Sequence, residues 1–127
     1  MGNPTNIGGV LSVVTNTVAY TNSSAVTIGT IPAHAQIINV LIDVTTAFDA
    51  GTTNTVTVGK SGSAAAYVAS TSVGSAGRAS VATTGVYSAW ADVGSAEVPV
   101  TATYSQTGTA ATAGAMRVTI VYASPAP

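Results

Sequence analysis

His34 is the only histidine of the chain, and it lies in Ile31-Pro32-Ala33-His34-Ala35, a turn between two apolar segments. A general base needs an orienting partner and a nucleophile within reach. This segment supplies neither, so a solvated or backbone-bonded imidazole is expected there. Val58-Gly59-Lys60-Ser61 has the form of the end of a phosphate-binding loop, but that motif needs a glycine five residues before Gly59, where Asn54 stands. A hairpin or loop is the better expectation. Asp43 and Asp49, with Asn54, are oxygen donors of the kind calcium takes. Two carboxylates make a thin site, and Asp43 reads as a strand-face residue and Asp49-Ala50-Gly51 as a turn. Asn22-Ser23-Ser24 fits the glycosylation sequon and is most simply a turn. No catalytic, metal or cofactor residue is assigned, and a non-enzymatic protein is expected.

The aromatic residues are few: Phe48, Trp90 and tyrosines 20, 67, 87, 104 and 122. Phe48 and Tyr122 are expected to anchor a core, where large apolar area counts most. Tyr87 and Trp90 lie three residues apart in Val86-Tyr87-Ser88-Ala89-Trp90. A tyrosine beside an indole is either packed inside or presented to a partner or a sugar, since both residue types are enriched at interface hot spots. These two are the candidate contact residues.

The elements that would position such residues are set by a composition of 46% hydrophobic and 6% charged residues, against about 25% charged in an ordinary soluble domain. The three basic residues (Lys60, Arg78, Arg117) and four acidic ones (Asp43, Asp49, Asp92, Glu97) form no basic patch able to neutralise several phosphates. Direct nucleic-acid binding is therefore not expected. A net charge of −1 gives little repulsion between copies, which favours an oligomer. Cysteine is absent, which removes disulfides and thiolate chemistry together. Polar residues interrupt every apolar run well before the roughly 18 residues a bilayer span requires, and Met1-Gly2-Asn3-Pro4-Thr5-Asn6 has no basic region before an apolar stretch, so neither a membrane segment nor a secretory signal is expected.

Apolar residues recur with a period of two, and the β-branched content supports strands. Ile38, Val40, Ile42 and Val44 form one face of the strongest strand, with Ile37, Asn39, Leu41 and Asp43 on the other. Met116, Val118, Ile120 and Tyr122 alternate in the same way near the C-terminus. Shorter alternations cover 10–14, 17–20, 25–28, 55–58, 80–87 and 98–104, while 63–75 is read as irregular. The expected fold is all-β, an antiparallel β-sandwich of jelly-roll type with about eight short strands. One domain is expected over 10–123, with residues 1–9 as an untethered tail or an arm gripping a neighbour, and 124–127 as a C-terminal tail.

The run Ala25-Val26-Thr27-Ile28-Gly29-Thr30-Ile31-Pro32-Ala33-His34-Ala35-Gln36-Ile37-Ile38, then Val44-Thr45-Thr46-Ala47-Phe48-Asp49 and Thr55-Val56-Thr57-Val58-Gly59, resembles tailed-phage structural proteins. In that pattern a strand ending in Ile-Pro leads to a long strand, a Phe-Asp turn and a strand ending in Val-Gly. The resemblance covers roughly residues 20–70. It implies a small β-sandwich or jelly roll, often trimeric, that serves as a capsid decoration (cement) protein, head fibre or tail accessory. The major capsid protein would be its partner and the capsid surface of the virion its place. Three rivals are a tail-fibre or receptor-binding module that recognises a surface glycan, a carbohydrate-active or metal-dependent enzyme, and a pilus or surface-layer subunit. The poverty of titratable groups weighs against the enzyme.

Overall fold

A computed structural model describes residues 10–125. Eight strands run in chain order: β1 Val10–Ala19, β2 Val26–Ile31, β3 Gln36–Thr46, β4 Thr53–Lys60, β5 Ser63–Ser72, β6 Gly77–Arg78, β7 Val98–Thr107 and β8 Ala115–Ser124. They form two four-stranded antiparallel sheets, β1-β8-β3-β6 and β2-β7-β4-β5. The pairs β1·β8, β2·β7, β3·β6 and β4·β5 are all hydrogen-bonded. That is one long hairpin folded about the β4–β5 turn, and rolling it adds β3·β8 and β4·β7. The result is a β-sandwich of eight strands, as expected, and its strand order is that of a jelly roll.

The core lies between the sheets and takes the inward residues of seven strands, among them Val18, Ile31, Ile42, Val58, Val68, Val100 and Ile120. Connections add Phe48, Val73, Trp90 and Val93. Phe48 stacks at 4.4 Å between centroids on Tyr104. Gly114 lies under the Phe48 ring with φ +148°, and any Cβ there would overlap the ring.

Several sequence expectations are corrected. Segments 10–14 and 17–19 are one continuous strand, β1, and Tyr20 begins the turn after it. Ile38 leaves the core face and is 50% exposed, because a bulge between Ile37 and Asn39 lets both Ile37 and Val40 point inward. Segment 63–72, read as irregular, is β5. Segment 80–87, read as a strand, makes one bridge from Ala82 to Ala69 and then turns into a short 3₁₀ helix, Tyr87–Trp90. Tyr122 is half-buried and packs against the margin of the core, while Phe48, Tyr67, Trp90 and Tyr104 are its buried rings. Ser124, assigned to a tail, pairs with Val10 at the end of β8. The expected arm, residues 1–9, lies outside the described residues, as do 126 and 127.

Candidate functional site

The 3₁₀ helix closes the sandwich flank between β5 and β3 and divides the candidate pair. Trp90 is buried, and its indole Nε1–H donates to the Tyr67 carbonyl at 2.8 Å. Tyr87 is 63% exposed, with its ring edge-on to Trp90 at 4.9 Å. Trp90 therefore serves the core and orients its neighbour, and Tyr87 alone of the two stands open to a partner.

At the end of the sandwich that holds the β2–β3 and β4–β5 turns, an open cleft of about 360 Å³ is lined by Lys60, Ser61, Val93, Ser95, Glu97 and Pro99. His34 lies in the β2–β3 turn, which is closed by Ala35 N–H to Pro32 C=O. Its φ of +59° is left-handed, an uncommon state for a residue with a side chain. The Gly94 carbonyl accepts from the His34 backbone N–H at 2.7 Å. The imidazole Nδ1 sits 3.1 Å from both Asp92 oxygens. Asp92 also accepts from Gly94 N–H, and this backbone bond, then the His34 contact, holds its carboxyl below the usual carboxylate range. The sequence reading found His34 in a turn but missed Asp92, which is 58 residues away and carries no local signal. An imidazole and carboxylate form part of a triad, but both are exposed and no nucleophile joins them in any contact described.

The three oxygen donors weighed for calcium go to separate partners. Asp43 accepts from Arg78 Nε at 2.6 Å on the sheet face. Asp49 takes Thr112 N–H, Thr112 O–H and Ala113 N–H, which lower its pKa and tie down the β7–β8 connection. Asn54 Oδ1 accepts from Ala50 N–H and the Tyr104 hydroxyl. Among the described residues no group of three His, Cys, Asp or Glu side chains converges on a metal position. Lys60 and Ser61 lie at the β4–β5 turn, with no helix following.

No family model and no curated protein matches the chain. A solved chain of the cyanophage Pam1 capsid asymmetric unit is similar at 25% identity with a TM-score of 0.70, over 93% of this chain and 87% of that one. Agreement over nearly the full length of both chains supports a capsid-related virion structural protein.

Proposed function

We propose that the protein is a capsid decoration, or cement, subunit that acts as a trimer on the assembled head, with the major capsid protein as its partner. The observation that carries this reading is the full-length jelly-roll likeness to a chain of a phage capsid asymmetric unit. A subunit that binds the assembled lattice and not its separated parts stabilises the lattice by mass action. Cyclic trimers suit threefold positions of an icosahedral shell, because each protomer repeats one contact. The role is non-enzymatic, consistent with acidic groups engaged in structural bonds: Asp43 with Arg78, Asp49 with the Thr112 loop and Asp92 with His34. Tyr87 is the exposed aromatic this reading offers to the contact.

The test is to mix the purified protein with heads that lack it and with unassembled capsid protein. Saturable sedimentation with the heads alone, together with a higher temperature of DNA release, is the expected result. Equal binding to both forms, or to neither, overturns the reading.

A further inference from the structure

Three of the four large apolar side chains that the described structure leaves exposed gather on one end of one sheet face: Leu11 (69%), Val13 (58%) and Ile38. The β1·β8 register sets Leu11 beside Ala123 and Val13 beside Val121, and the β8·β3 register continues these rows to Gln36 and Asn39, next to the bulged Ile38. One row further on, Thr15 and Thr119 share a hydroxyl hydrogen bond of 2.9 Å, which places these alternating residues together on the outer face. The charged side chains of this face, Arg117, Asp43 and Arg78, stand opposite one another in a row at its far end. β1 is also a sheet edge, and its ten residues include no Lys, Glu or Pro, the usual guards against edge pairing.

We propose that this apolar end of the outer β1-β8-β3 face is where copies of the chain meet, with Leu11, Val13 and Ile38 as anchors. The proposal deepens the oligomer named above and rests on that part of it. Dimensions favour a second copy over a small ligand. Three strands of ten residues present roughly 30 Å by 15 Å, or about 450 Å² in projection, and a stable interface takes about 800 Å² of accessible surface from each partner. The three-strand face alone falls short of that area, so the contact must take in the threonine rows and extend past them onto the adjoining β1 edge. The Leu11, Val13 and Thr15 rows can be buried without desolvating a charge, while the Thr17 row, which holds Arg117 and Asp43, stays at the wet rim. The covering surface must itself bring almost no charge, which another copy of a chain with 6% charged residues does. Interfaces formed once and kept are apolar in this way, like a domain core cut in two. A threefold ring is closed by two different surfaces on each copy, and this face is one of them.

The experiment measures the mass of the free protein in light scattering at micromolar concentration, so it is independent of capsids. The wild type is expected as a discrete oligomer. The double variant Leu11→Ser with Val13→Ser, and separately Ile38→Lys, should each run as folded monomer, with the dissociation constant raised at least tenfold. A monomeric wild type overturns the proposal, as does retention of the oligomer by either face variant. Failure of the wild-type oligomer to bind heads, with these masses as expected, would overturn the decoration reading alone.

Discussion

Tyr67→Phe removes a hydroxyl that the fold buries without a hydrogen-bond partner. The residue is 2% exposed, and no protein group takes the place of the bulk water its oxygen has left. An unsatisfied buried polar group costs about 1–3 kcal/mol. The void left by one oxygen offsets a few tenths of a kcal/mol of any gain. The backbone carbonyl of Tyr67 keeps its bond from Trp90 in the variant, so the net change expected is about 1 kcal/mol of added stability. For 127 residues, about 2.1 cal/mol/K of unfolding entropy per residue converts this to a rise of about 4 °C in Tm. Tyr104→Phe is the contrast, because that hydroxyl donates to Asn54 at 2.6 Å and its loss should cost about 1 kcal/mol. Burial also raises the Tyr67 pKa. Its stabilising contribution is then complete below the ordinary tyrosine value near 10 and is lost as pH rises through the folded value. The phenylalanine variant should show a shallower alkaline loss, with Tyr104, whose pKa is also raised by burial, accounting for the remainder. Urea denaturation at pH 7 and pH 10.5 measures both effects. A Tyr67→Phe protein less stable by 0.5 kcal/mol or more would refute the reasoning.

Gly29→Ala should destabilise by about 1–3 kcal/mol through overpacking, because its Cβ would lie 2.6 Å from the Val14 Cβ where β2 crosses β1; Val14→Ala in the same chain should recover part of the loss in a double-mutant cycle. Trp90→Ala should cost about 3–5 kcal/mol while Tyr87→Ala changes stability by less than about 0.5 kcal/mol, compared as denaturation midpoints. Acid unfolding should move to lower pH in the wild type than in Asp49→Asn: the lowered pKa makes Asp49 stabilising above the usual carboxylate range, and that contribution is lost as pH falls through the folded value. Binding to heads should change little between low and moderate salt, since so few charges are available to be screened.

Much of the jelly roll was legible because one face of each long strand is buried and the other is not. Met116, Val118 and Ile120 are the clear instance, alternating inward over an unbroken register with β1. Alternation fails wherever the register slips. Ile38 was assigned inward because its parity matches Val40, and the bulge that reverses it depends on the pairing of β3 with β8, not on local sequence. β5 was hidden by alanines and serines that carry no strand signal, and its buried Tyr67 and Val68 are adjacent, beside another register shift. The 80–87 alternation was cut short by Gly85, whose φ of +79° turns the chain into the 3₁₀ helix. Of the contact residues, Tyr87 and Trp90 could be singled out by type, but which faces water depends on that helix packing against β5 and β3. Leu11 and Val13 did carry a signal: together with the inward Val14 they give the first half of β1 apolar side chains on both faces, where a strand with one solvated face would alternate with polar residues.

The most direct test of the central claim is a cryo-electron microscopy map of the purified virion beside one of particles lacking this protein. The account predicts jelly-roll density repeated over capsomer junctions of the head, absent from the second map, and earlier DNA loss on heating the particles without it. Density confined to the tail, with unchanged head stability and impaired host adsorption, would contradict the decoration role and favour a receptor-binding module.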